Sequence, residues 1–203
     1  MPELFFDVET TGLPPRAAKP RDFEKFDGCR VVSIAWVLRD QDTVFSQRYS
    51  VVDTGNSDGT VGAEHIHGVT SAVMREHGKP VEFILRDFMD DVKRAKLTVA
   101  HNMEFDQKIV AAELYRMGCS EEAQYLLEQQ SRCTMKTTTD LVKIKTKYGS
   151  YKWPKLDELH SFLFGESFDN AHHAMCDVDA LIKCFYKLVE AEDGSSNKRL
   201  KTN

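Results

Sequence analysis

Two carboxylates stand near the start of the chain, at Asp7 and Glu9, inside the apolar run Glu-Leu-Phe-Phe-Asp-Val of residues 3–8. On an extended strand, residues i and i+2 share a face, so both acids project to one side while Val8 points to the other, into a core. Neighbouring acids repel, and each loses hydration when buried. A divalent cation between them removes that penalty. The plainer reading is a pair of acids facing water at the open end of a strand. Two further acids stand where helices begin. His101-Asn102-Met103-Glu104-Phe105-Asp106 follows the apolar Leu97-Thr-Val-Ala100. Asn102 suits a helix N-cap. Asp106 falls about one turn in, towards the C-terminal end of that strand, where α/β folds bind ligands; otherwise it serves only the helix dipole. The last acid is Asp177, in His172-His173-Ala174-Met175-Cys176-Asp177. Histidine is a common proton acceptor at neutral pH. Helix spacing pairs His173 with Asp177 at i and i+4. Five residues turn through roughly 140°, so His172 reaches the same face only from at or before the first turn. Spacing alone leaves the histidine open.

These groups need a scaffold. Residues 3–8 predict a buried strand that runs into the turn Thr10-Thr11-Gly12-Leu13, where a glycine lets backbone approach a ligand closely and Leu13 needs something to pack on, such as an unstacked base. Residues 31–38 predict a second buried strand. Residues 43–52 alternate in polarity and predict a half-exposed third. Residues 80–94 predict a helix with Pro80 in its first turn. Residues 97–100 predict a strand, 103–117 a helix closed by Gly118, and 120–130 a helix. A short extended piece follows around Cys133, then helices at 154–164 and about 173–191. The polar residues 192–203 predict a disordered tail. The layout is α/β: a mixed five-stranded sheet with an antiparallel edge and helices packed on it. No internal repeat is visible.

Bulk properties narrow the class. The 203 residues suit one domain, and the formal charge of −5 argues against non-specific electrostatic wrapping of nucleic acid. No apolar run approaches the roughly 20 residues that a membrane-spanning helix needs. The N-terminus lacks a basic, then apolar, leader pattern. Five cysteines without CxxC spacing argue against a zinc site or a disulfide framework. Together these predict an intracellular protein, cytoplasmic or nuclear.

Taken in order, Asp-x-Glu-Thr-Thr-Gly, His-Asn-x-x-Phe-Asp and His-x-Ala-x-x-Asp resemble the three motifs of the DEDDh (DnaQ-like) 3′→5′ exonuclease family, over residues 3–190. The resemblance implies an RNase H-like fold for residues 1–191. It also implies two Mg²⁺ ions, with Mn²⁺ able to substitute, held by Asp7, Glu9, Asp106 and Asp177, with His172 rather than His173 as general base. Two such ions can stabilise both the attacking and the leaving oxygen of a phosphodiester. The implied substrate contacts are Thr10, Thr11, Gly12 and Leu13, with Ile66, His67, His101 and Asn102. The implied substrate is a nucleic acid 3′ end, DNA ahead of RNA, with release of nucleoside 5′-monophosphates. A polymerase or repair protein would be a fitting partner. An exoribonuclease is the alternative. A catalytically idle binding module is the second alternative, against which the complete set of four acids and a histidine argues.

Three features lie outside those motifs. The Gly/Asp/Ser-rich stretch 53–62 reads as a passive mobile loop. Lys143, Lys145, Lys147, Lys152 and Lys155 interleave with Tyr148, Tyr151 and Trp153, a mix that suits strand binding by charge and stacking as well as it suits a solvated loop. The tail Lys198-Arg-Leu-Lys reads as merely solubilising.

Overall fold

A computed structural model of the protein describes residues 2–53, 62–169 and 172–200, with side chains as far as Asp193. The elements in chain order are β1 (Glu3–Thr10), a 3₁₀ turn at Phe23–Phe26, β2 (Val31–Arg39), β3 (Val44–Asp53), α1 (Glu64–His67), α2 (Ser71–His77), β4 (Lys79–Pro80), α3 (Val81–Arg94) and β5 (Leu97–Ala100). They continue with α4 (Met103–Arg116), α5 (Ser120–Glu128), β6 (Ser131–Cys133), α6 (Thr134–Thr137), α7 (Thr139–Val142), α8 (Leu156–Phe164) and α9 (Ala174–Leu200).

The sheet runs β4-β3-β2-β1-β5-β6. β2 is antiparallel to both β1 and β3, whereas β5 is parallel to β1 and to β6. The expected α/β class holds, with six strands in place of five. The added strand is the two-residue β4, parallel to β3. Pro80 therefore lies in extended backbone ahead of α3, with ψ 133°, and not in the helix's first turn. An edge strand tolerates a residue with no N–H to donate.

Alternation along β1 assigns its two faces. Leu4, Phe6 and Val8 join Trp36, Phe88 and Ile109 in the larger core beneath α3 and α4. Phe5 packs with Ala35, Val99, Val178 and Phe185 beneath α9. The Phe6–Phe88 and Phe5–Phe185 ring pairs lie 5.3 and 5.1 Å apart on opposite faces. Asp7 and Glu9 continue the Phe5 face, so that face turns from apolar to acidic at the strand's C-terminal end. β2 is covered on both faces, which is why its sequence reads as an unbroken apolar run. Its Trp36 indole donates to Asp91 at 2.9 Å.

The turn after β1 is tied down from behind. Thr11 donates its amide to the Arg30 carbonyl, and its hydroxyl accepts from the Arg30 amide, both at 2.9 Å. A side chain at Gly12 would meet the Gly28 carbonyl at 2.8 Å, so here the missing Cβ serves chain-on-chain packing. The Arg30 guanidinium pairs at 2.6 Å with Glu113 of α4, which is 2% exposed and also pairs with Arg116. Arg116 in turn reaches Asp27.

Helix α9 continues past the expected end at 191, to Leu200, so the start of the polar tail expected to be disordered is helical. The stretch 53–62 lies outside the described residues except at its ends, and so do the side chains of the basic tail. Among the described residues, no helix is long and apolar enough to cross a membrane.

Candidate active site

The β1–β5 pairing ends at Phe5↔Val99, because β5 stops at Ala100 and the chain turns into α4. Beyond that point the β1 amides on this edge need another acceptor. Asp106, one turn into α4, supplies it: the Val8 amide donates to Oδ1 at 3.2 Å. The other oxygen, Oδ2, is buried and has no hydrogen-bond partner among the described residues, and a buried carboxylate oxygen left bare is costly. Asn102 occupies the N-cap position of α4 as expected, but in left-handed backbone (φ 85°) and with no side-chain cap bond. The tight reversal from β5, and not capping, dictates its conformation.

α9 brings the remaining groups from the other side. The His172 amide donates to Asp177 Oδ2 at 3.0 Å. His172 has φ 71° and precedes the helix, which its own side chain does not enter. Left-handed backbone is uncommon for a residue with a Cβ. Glu9, His172 and Asp177 each present a ligand atom within 4.8 Å of the others. His173 is placed elsewhere: its ring stacks on Tyr49 of β3, 4.8 Å between centroids, and its carbonyl accepts the Asp177 amide.

Asp7, Glu9, Asp106 and Asp177 all line one cleft of about 670 Å³, together with His172. Burial, then the neighbouring Asp106, Asp177 and Glu9 charges, hold the Asp7 carboxyl well above the usual carboxylate range. Burial, then Asp177, pushes Glu9 up to about 8. Asp106 is raised mainly by burial, against the opposing pull of the Val8 amide. Asp177 is raised by burial to about 6, with the His172 amide working the other way. Four acids that cannot all shed their protons beside one another, one of them with a bare buried oxygen, fit positive charge placed among them. The hard oxygen donors with one imidazole suit Mg²⁺ or Mn²⁺.

Of the expected substrate contacts, Leu13, His101 and Asn102 line the cleft. Leu13 is 85% exposed at the tip of its turn. Burial lowers the His101 imidazole to about 4. Its Nε2 donates to the Pro154 carbonyl and its Nδ1 accepts from the Thr134 hydroxyl, both at 2.9 Å. Thr10, Thr11, Gly12, Ile66 and His67 are not among the residues lining it. The Thr10 hydroxyl is spent on the Gly12 carbonyl at 2.7 Å. His67 is buried and clamps its own loop, accepting from the Val69 amide and donating to the Gly62 carbonyl, each at 3.0 Å. Ile66 beside it is half exposed. The far wall was not singled out as a site in the sequence. It comprises Phe105, Met135, Asp157 and Phe168, with Trp153, Pro154 and Lys155. Its visible signals in the sequence were Phe105, inside the His-Asn-x-x-Phe-Asp motif, and the Trp-Pro-Lys triplet, an aromatic among lysines.

A six-stranded mixed sheet with four acids and a histidine at the end of its central strand defines a carboxylate-centred, metal-fitting site. The exonuclease family model matches residues 4–185. The chain belongs to that family, the DEDDh exonucleases of the RNase H-like superfamily. Its fold is similar to that of E. coli Exonuclease I in complex with an oligonucleotide (TM-score 0.68, 18% identity), with 99% of this chain and 42% of that chain covered. It is also similar to a 3′-exonuclease recognising a histone mRNA stem-loop (TM-score 0.64, 11% identity, 94% and 64% covered). A third similar structure is Exonuclease X with 5′-overhanging duplex DNA (TM-score 0.53, 18% identity, 90% and 89% covered). The chain thus spans about two fifths of Exonuclease I. Comparison with curated proteins gives no match.

Proposed function

We propose that the chain is a divalent-metal-dependent 3′→5′ exonuclease that releases nucleoside 5′-monophosphates, with DNA as its substrate. The observation that carries this reading is the meeting of Asp7, Glu9, Asp106, Asp177 and His172 in one cleft. Asp7, Glu9, Asp106 and Asp177 are the residues to hold two Mg²⁺ ions, which supply charge stabilisation to the attacking and leaving oxygens of a phosphodiester. His172 stands outside the helix with its ring exposed, placed to take a proton from water brought into the cleft. Leu13 offers an apolar surface to the terminal base. Asp106 holds the Val8 amide and so fixes the end of β1 on which Asp7 and Glu9 ride.

The test compares 3′-hydroxyl, 3′-phosphate and circular single strands, in DNA and in RNA, with Mg²⁺ and with EDTA. The expected result is stepwise loss from the 3′-hydroxyl DNA strand only, blocked by a 3′-phosphate and by EDTA. Cleavage of the circle would make the protein an endonuclease. Faster trimming of RNA would move the substrate to the exoribonuclease alternative.

A further inference from the structure

The cleft's outer wall continues into a hairpin whose chemistry the cleft itself does not use. Lys145 bridges Tyr151 across an antiparallel pair, and the Thr146 amide bonds the Ser150 carbonyl at 2.7 Å. Gly149 closes the tip with φ 86°. The turn is braced again by the Thr146 and Ser150 hydroxyls at 3.0 Å. This braced tip nonetheless presents Tyr148 83% exposed, and Trp153 at its base is 59% exposed. Lys147 covers the Tyr148 ring at 4.9 Å, and Lys136 reaches to 5.9 Å of Trp153.

Charge is segregated here as well. Residues 136–155 hold six lysines against one acid, Asp140, in a chain whose net charge is −5. Lys136 and Lys152 are paired with Glu104 and Glu158. Among the described residues, Lys143, Lys145 and Lys147 have no ion pair, and all three are exposed. The hairpin is joined to the cleft: the Pro154 carbonyl accepts from His101, while Trp153 and Lys155 line the cavity. Rigid exposed rings interleaved with unpaired lysines match a surface that stacks bases and neutralises phosphates. A solvated loop would need neither the bare rings nor the segregation.

We infer that the hairpin centred on Lys143, Lys145, Lys147 and Tyr148 is a guide for the single strand, holding the nucleotides on the 5′ side of the terminal one as that terminus enters the cleft. This rests on the exonuclease reading above.

The test uses the full chain with Mg²⁺, comparing wild type with a Lys143→Ala/Lys145→Ala/Lys147→Ala triple and with Tyr148→Ala. One substrate is a long oligothymidylate, with oligouridylate alongside. The other is the p-nitrophenyl ester of thymidine 5′-monophosphate, a phosphodiester too short to touch the hairpin. The expected outcome is a KM for the strand about tenfold higher in each variant, with ester hydrolysis unchanged. The slope of log KM against log salt should also flatten by about 2 in the triple, as loss of three phosphate contacts to a single strand requires. If the variants handle strand and ester as the wild type does, the guide is refuted while the exonuclease reading stands. A wild type that cleaves neither substrate would refute both.

Discussion

His172 meets Asp177 through its backbone: the amide nitrogen donates to Oδ2 at 3.0 Å, and the imidazole is left exposed at the mouth of the cleft. His173, one residue on, has its ring committed to Tyr49. Replacing His172 by Ala should therefore spare the Asp177 contact, since Ala keeps the amide. Turnover should fall about 10²–10⁴-fold, the usual cost of losing a general base. His173→Ala should lose only a stacking contact and change the rate little. Single-turnover cleavage at saturating Mg²⁺ checks this, and the rate should collapse in the first variant and persist in the second.

Asp106→Asn separates the two oxygens of one side chain. The amide oxygen can still accept from Val8, so the end of β1 stays in place, while the bare buried Oδ2 is replaced by an uncharged amide nitrogen that no longer attracts a cation. Activity should drop roughly 10²–10⁴-fold, as several kcal/mol of lost charge stabilisation implies. Metal-free thermal stability should equal or exceed wild type, because one of four crowded acids is neutralised. A melt in EDTA beside a Mg²⁺-dependent rate measurement reads both effects.

The acids also set a pH signature. Asp7 and Asp106 are raised above the usual carboxylate range, Glu9 is raised to about 8 and Asp177 to about 6. The folded state thus holds protons that the unfolded chain has lost, and stability falls as pH rises through that window. In EDTA the Tm should drop between pH 5 and pH 8 by at least about 3 °C, the shift that about 1 kcal/mol gives at this size. Saturating Mg²⁺ should remove the drop at pH 8, where the deprotonated acids bind it best.

His101 works in the opposite direction. Its ring is held neutral, lowered to about 4 by burial. The unfolded chain takes up a proton first as pH falls, so this contribution is present above about 6.5 and lost towards 4. His101→Gln should flatten the acid side of the Tm–pH curve. It should also cost about 1–3 kcal/mol at pH 7 by leaving Thr134 or Pro154 unpaired. Trp153 fluorescence in the variant would report any release of that wall.

Much of this was legible in the sequence because periodicity records burial. The alternation of β1 placed Asp7 and Glu9 on one face and Val8 on the other, and the unbroken apolar run of β2 announced cover on both sides. The choice of His172 needed the motif pattern, since helix spacing favoured His173. His172 comes near Glu9 and Asp177 with positive φ, a backbone property with no reliable single-residue signal outside glycine. The loops hid most. Thr11 and Gly12 read as ligand-facing, yet Thr11 is held by Gly28 and Arg30, seventeen and nineteen positions away, and the Gly12 carbonyl accepts from Thr10 and Cys29. Nor did local pattern announce Phe168 or Met135, which reach the cleft only through tertiary placement.

Helix α4 carries Asp106 near its front and Glu113 seven residues behind, gripping Arg30 and through it the turn that bears Leu13. The helix therefore works as a gauge block of about 10 Å, at 1.5 Å per residue: one end sets the acid, the other sets the turn. A single residue inserted between them would swing Glu113 by about 100° and detach the turn from its gauge, leaving every motif residue intact in the sequence. Length variation should then be forbidden in this stretch of α4, so that spacing here is as much a part of the site as the residues themselves.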